Sequence, residues 1–252
     1  MPFRDAARFG TMCKAMETEV REMVTDTPIE ASALRDTLLD AALPHVAFDG
    51  WSETTFRAAV ADSGVDPTLA KAIFPRGAVD LALAYHRRGD EAMVGRLRMT
   101  DLGAMRYSER VAFAIRARLE AVADKEAVRR GTTLFALPNH AADGARAIWG
   151  TADAIWTALG DSSRDINWYS KRATLSAVYG ATVLFWLGDD STDHHATWEF
   201  LDRRIDNVMR FEKLKAQVRE NPLGKLLLAG PSKLFDRVKA PSGGHDLPGR
   251  SR

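Results

Sequence analysis

Apolar residues recur at helical spacing along almost the whole chain, and no strand-length run alternates apolar with polar. That pattern restricts the fold to an all-α class and predicts roughly nine or ten helices. With 252 residues, 46% of them apolar, the chain can bury a sizeable core, as one domain or one domain with a small satellite. A net charge of +1 gives no overall basic field, so any contact with nucleic acid or acidic lipid needs a local patch. The single cysteine, Cys13, excludes an intrachain disulfide framework and suits a reducing compartment. No apolar run approaches the ~18 residues needed to cross a bilayer, which predicts a soluble or peripheral protein.

Residues 1–28 carry neither a signal-peptide core nor the acid-poor composition of a presequence, and read as a flexible extension. A first helix places Leu34, Leu38, Ala41, Ala42 and Val46 on one face, with Pro44 bending its last turn and Gly50 ending it. Ser52 or Thr54 caps a second helix over Phe56–Asp62, and Gly64 turns the chain. Asp66 caps a third, with Pro67 in its first turn and Phe74-Pro75 as its stop. Further helices are predicted near Ala78–Arg88, Asp90–Arg98, Ser108–Ala123 (capped by Ser108), Lys125–Leu137, Ala141–Leu159 and Ile166–Trp186. Asp161 and Asp165 read as helix caps, and Asp193 as the cap of a long amphipathic helix over Thr197–Arg219.

Gly50-Trp51, Thr54-Thr55-Phe56, Gly64-Val65 and Phe74-Pro75 resemble, in order and spacing, the helix-turn-helix of TetR-family regulators. That family places phosphate-contacting residues late in the recognition helix; the matching positions here are Lys71 and Ile73. Residues 30–76 hold four basic side chains against seven acidic ones. DNA affinity rests on lysines and arginines displacing counterions, so this module is a degenerate scaffold rather than a reader of duplexes.

A second series is more specific. Leu137-Pro138-Asn139, Trp149, Asp153, Trp156 and Gly160-Asp161-Ser162 lead into Asp165-Ile166-Asn167-Trp168-Tyr169-Ser170-Lys171-Arg172. Leu175, Tyr179, Asp189-Asp190-Ser191, Thr197-Trp198 and Phe200–Arg204 follow. The series resembles the ubiquinone-biosynthesis accessory proteins of mitochondria and α-proteobacteria, the ninth in the naming of coenzyme Q biosynthesis proteins; mitochondrial members carry a presequence, and none being recognised here suggests a bacterial member. The resemblance implies a TetR-like, non-enzymatic, lipid-binding homodimer. Such a protein would bind an isoprenoid quinone intermediate or phospholipid, use no other cofactor, and present the intermediate to the di-iron demethoxyubiquinone hydroxylase. It also implies that Trp168 and Tyr169 meet the hydroxylase, with Asn167 and Arg172 beside them. The implied location is the bacterial cytoplasm, peripheral to the inner membrane, or the mitochondrial matrix side if the source is eukaryotic. A ligand-responsive TetR repressor is the alternative.

Asp165 starts a helix whose first turn carries Trp168 and Tyr169, a good position for aromatic interface anchors. Trp149, Trp156, Leu175, Val178, Thr182 and Phe185 are candidate lipid contacts, although a filled helical core would have the same sequence signature. Residues 222–240 interleave Leu223, Leu226, Leu227, Leu234 and Phe235 with Lys225, Lys233, Arg237 and Lys239 against one acid, Asp236. Such a segment can lie in a headgroup layer or pack on the protein itself. His194-His195 among Asp189, Asp190 and Asp193 lacks a metal-ligand spacing and reads as a solvated turn. No nucleotide-binding loop or nucleophile elbow is present, and no acid, base and nucleophile have a reason to converge, so catalysis is not expected. The expected organisation is an extension (1–28), a degenerate helix-turn-helix module (29–76), a lipid-binding and dimerisation domain (77–220), an amphipathic segment (221–240) and a tail (241–252).

Overall fold

The structure is a computed structural model that describes residues 28–220, with side chains over 31–210. Among the described residues it is all-α, with helices α1 (Pro28–Asp49), α2 (Glu53–Ser63), α3 (Pro67–Ile73), α4 (Ala78–Met99), α5 (Tyr107–Glu120), α6 (Lys125–Ala136), α7 (Ala141–Ala158), α8 (Ile166–Leu187) and α9 (His195–Glu220). A short 3-10 turn, Thr192–His194, precedes α9. The amphipathic segment, with Leu223, Lys225, Leu226, Leu227, Lys233, Leu234, Phe235 and Arg237, lies outside the described residues, as do the extension and the tail. No helix among the described residues is long and apolar enough to cross a membrane.

The chain divides into two compact units at Tyr85/His86, within α4. In the first, Leu38, Leu39, Ala42 and Val46 of α1 are buried together with Phe56, Phe74 and Leu81. The start signals work as their chemistry requires. Ser52 accepts from Thr55 N–H at 3.2 Å and so caps α2, while Asp66 accepts from Thr68 and Leu69 N–H at 2.8 and 3.1 Å and caps α3. Gly64 ends α2 at φ 67°, in the left-handed region where a side chain is disfavoured. Lys71 reaches the Phe56 ring, 5.6 Å from its centre.

In the second unit Met93, Ile115, Ile155, Leu175, Tyr179 and Leu201 represent the core, drawn from α4, α5, α7, α8 and α9. Here the sequence reading needs three corrections. The helices expected either side of Gly89 are one helix, α4. Gly89 is not a break: a Cβ there would collide with the Arg118 guanidinium, which passes against the α4 backbone. Arg118 is buried, donates to Asp90 Oδ1 at 2.6 Å and to the His86 carbonyl at 2.9 Å, and cannot swing aside cheaply. Thr151 donates to the same Asp90 oxygen at 2.9 Å, and His86 Nε2 lies 2.8 Å from the Thr151 hydroxyl. Burial pushes the His86 pKa down to about 4; Asp90 pulls upward and Arg118 downward.

Second, Ser108 does not cap α5. The helix begins one residue earlier, at Tyr107, because Glu109 accepts from the Arg106 N–H at 2.7 Å and ties that residue down as the cap. Third, Asp193 does not cap α9. Asp189 does that from further upstream, accepting from Thr197 N–H at 2.9 Å and from its hydroxyl at 2.5 Å. Asp189 also accepts from Ser191 N–H at 2.9 Å, and the bonds from Ser191 and Thr197 hold its carboxyl well below its ordinary range. Asp193 instead adopts a left-handed backbone (φ 51°) and gives its carbonyl to Trp198 Nε1 at 2.8 Å. Lys125 Nζ and Arg129 Nη2, both from α6, donate at 2.8 Å to the carbonyls of Asp189 and Leu187, closing the α8–α9 corner.

Candidate functional site: an apolar cavity beside an aromatic face

Asp165 caps α8 by accepting from Asn167 N–H at 3.0 Å, and so sets which residues fall in its first turns. Trp168 and Tyr169 are both half-buried there, their rings edge to face with centroids 4.8 Å apart. Trp149 of α7 supports Trp168 from behind, at 6.0 Å between ring centres.

Beneath Trp168 lies Arg172, its guanidinium carbon 3.9 Å from the ring centre. Only 3% of Arg172 is exposed. It donates from Nε to Asp153 at 2.6 Å and from Nη1 to Asp161 at 3.2 Å. Asp161 also accepts from Lys171 Nζ at 2.7 Å and from Ser163 Oγ at 2.8 Å. Burial alone would raise the Asp161 pKa, but hydrogen bonds from Lys171, Ser163 and Arg172 hold it at about 2. The expectation that Asp161 caps a helix is thus corrected: its carboxylate is taken by Lys171, Ser163 and Arg172. Two cations and two carboxylates form a balanced quartet under the aromatic pair.

On the next face of α8 a cavity of about 280 Å³ opens between α5, α7, α8 and α9. Along α8 its wall changes from Asn167, Ser170 and Lys171 in the first turns to Leu175 and Val178 further on. On α5 the change repeats, from Tyr107 and Ser108 to Val111. Ile205 and Val208 of α9 complete the apolar side, and Trp156 of α7 stacks on Tyr107 with ring centres 5.7 Å apart. The span from Asn167 to Val178 is roughly 16 Å of helix. The cavity thus has a polar end next to the aromatic pair and an apolar end away from it. Lys171 is the one charged residue on the described wall, which holds no His, Cys, Asp or Glu.

The sequence candidates scatter accordingly. Trp156, Leu175 and Val178 line the cavity. Trp149 faces Trp168 instead: seven residues separate it from Trp156 along α7, enough to put the two rings against different neighbours. Thr182 is wholly buried and donates to the Val178 carbonyl at 2.7 Å, so its hydroxyl is spent within the helix. Phe185 is 37% exposed and stacks on Phe200 at 4.5 Å between ring centres, away from the cavity wall. Asn167 is exposed at the polar end, whereas Arg172 is sealed beneath Trp168 and bonded to the half-exposed Asp153. Tyr107 and Lys171 were missed. Placing the α5 start at Ser108 left Tyr107 outside the helix, and the spacing of Lys171 before Leu175 and Val178 was the available signal. Among the described residues no group of His, Cys, Asp or Glu is placed to hold a metal ion.

Residues 141–212, which include α7, α8 and most of the cavity wall, match the COQ9 family model. Over about three-quarters of its length the chain is similar to COQ9 proteins. It is 31% identical over 193 residues to the mitochondrial ubiquinone biosynthesis protein COQ9 of Drosophila melanogaster, covering 75% of this chain and 59% of the fly protein. It is 28% identical over 196 residues to the probable coq9 protein of Dictyostelium discoideum (74% of this chain, 63% of that one). With the human COQ9 it shares 26% identity over 205 residues (78% and 64%). The chain therefore spans about three-fifths of the length of these COQ9 relatives. Among solved structures, a TetR transcriptional regulator from Nitrosomonas europaea superimposes with a TM-score of 0.57 at 21% identity, covering 69% of this chain and 97% of that one. The fold is TetR-like, and that likeness concerns the fold alone.

Proposed function

We propose that the chain is a non-catalytic accessory of ubiquinone biosynthesis that holds an isoprenoid quinone intermediate and offers its head group to a di-iron hydroxylase. The observation that carries this reading is the shared helix. The apolar cavity and the half-exposed Trp168–Tyr169 pair occupy adjacent faces of the first turns of α8. A ligand head at the polar end is then next to the surface where a partner would dock. At about 280 Å³ the cavity sits at the low edge of the ~300–1,000 Å³ range of ligand sites, enough for a head group and the start of a tail. A wall with one charged side chain supplies no acid–base pair, which favours holding over converting. The COQ9 relatives' names supply the pathway. In this reading the protein works as a homodimer at a membrane surface, with the basic amphipathic segment 221–240 as the membrane contact.

Lipids extracted from purified protein and examined by native mass spectrometry should include an isoprenoid quinone or its precursor; protein that is lipid-free across preparations sinks the proposal. In cells, Trp168→Ala with Tyr169→Ala should accumulate the demethoxy intermediate. Unchanged quinone profiles would remove the hydroxylase-docking role while leaving lipid binding standing.

A further inference from the structure

We propose that Lys171 is the residue that recognises the ligand's head group, and that it selects a neutral oxygen acceptor, such as a quinone carbonyl, over a phosphate. The inference rests on the lipid-holding reading above and adds which atom reads the ligand and what chemistry that atom prefers.

An ammonium group has three protons to donate. Lys171 Nζ gives one to Asp161 at 2.7 Å and one to Ser163 Oγ at 2.8 Å. The third has no acceptor among the described residues. The side chain is 36% exposed, lines the cavity, and holds Nζ 5.6 Å from the centre of the Trp156 ring, another wall residue. Asp161 is 2% exposed and is itself gripped by Arg172, so the two occupied bonds fix where the remaining proton sits. The cavity therefore carries one pre-aimed, charge-assisted donor at its polar end, while Leu175, Val178, Ile205 and Val208 accept only hydrocarbon.

The preference for a neutral head follows from the charge balance. Lys171 and Arg172 are matched by Asp161 and Asp153, all joined by contacts of 2.6–3.2 Å. A phosphate would bring uncompensated negative charge next to Asp161, which is fully ionised near neutrality with its pKa at about 2. A carbonyl oxygen accepts the third proton without disturbing that balance. Direction follows as well: the head lies at the Asn167–Lys171 end and the tail runs along α8 toward Val178.

Equilibrium dialysis of the full chain tests this with three probes sharing a two-prenyl tail: a dimethoxy-methyl-benzoquinone, the bare hydrocarbon, and the prenyl phosphate. The wild-type protein should bind the quinone about tenfold more tightly than the hydrocarbon, a difference of ~1.4 kcal/mol, and more tightly than the phosphate. Lys171→Met should remove that tenfold preference by weakening quinone binding more than hydrocarbon binding, with circular dichroism certifying the variant's fold. Lys171→Gln, which keeps a shorter neutral donor and remains available if the methionine variant does not fold, should give an intermediate preference. A preference unaltered in both variants, or an equal loss for quinone and hydrocarbon, would overturn the role of Lys171. A phosphate that outcompetes the quinone would overturn the selection for a neutral head. If none of the three binds, the lipid-holding function itself falls and takes this inference with it.

Discussion

The buried guanidinium of Arg172 lies 3.9 Å from the centre of the half-exposed Trp168 ring. An internal ion network thus sets the pose of a surface aromatic. Deleting the guanidinium leaves Asp161 to Lys171 and Ser163 alone and the half-exposed Asp153 to solvent, at a cost of about 1–3 kcal/mol. Arg172→Met should therefore lower the urea midpoint sharply and shift Trp168 fluorescence toward that of a mobile indole. Arg172→Lys should recover little, since an ammonium cannot hold Asp153 and Asp161 in one planar fork. A midpoint unchanged by Arg172→Met would show that the network carries no stability.

Two glycines of α4 make a matched pair. Gly95 is exposed with nothing within 4 Å of an added Cβ, so Gly95→Ala should stabilise by about 0.5–1 kcal/mol. At Gly89 the same change meets the pinned Arg118 guanidinium and should destabilise by about 1–3 kcal/mol. Thermal melts of the two variants should move in opposite directions.

Acid should weaken the fold in a defined window. His86 titrates near 4 in the native state against an ordinary 6.5, so between these values the unfolded chain binds a proton that the folded chain refuses. Stability is fully present above about 6.5 and falls as pH drops toward 4, by roughly 3 kcal/mol. Asp161 acts lower down: its carboxylate stabilises the fold above its ordinary 3.8, and that contribution is lost as pH falls toward 2. Denaturation curves at pH 7, 5.5 and 4.5 should show the first loss, and His86→Gln should flatten it. A wild-type stability constant from pH 7 to 4.5 would contradict the burial of a neutral imidazole.

The first unit should not bind duplex DNA. With seven acids against four bases over residues 30–76, and Lys71 engaged over Phe56, gel shifts at low salt should show no specific complex. Tight binding to an operator would instead favour a repressor, the reading its TetR-like fold invites.

Most helices were legible because their signals are local. Asp66-Pro67, Ser52 and Asp165 each act within three residues of themselves, and sequence displays that directly. Apart from the Arg106–Glu109 contact that moved the α5 start, what failed was longer-range. Gly89 looks like a breaker until Arg118, from another helix, is placed against it. Asp189 caps α9 from eight residues upstream of Thr197, so the nearer Asp193 attracted the assignment. In the site, the likeness to known proteins singled out Trp168 and Tyr169, but the quartet beneath them joins α7, α8 and the intervening loop. Periodicity could mark Leu175 and Val178 as inward-facing without deciding whether they meet a side chain or open space.

The α8–α9 corner sets a further limit. Its shape is held by Lys125 and Arg129 on main-chain carbonyls, and by Asp189 on Ser191 and Thr197. None of these bonds is a pair of exposed opposite charges, so added salt or a modest change of acidity leaves the angle between the two helices alone. Under the proposed function, accommodation of a ligand then falls to side-chain rotations at the opposite end of α8, where the polar cavity wall and the Trp168–Tyr169 pair share the first turns.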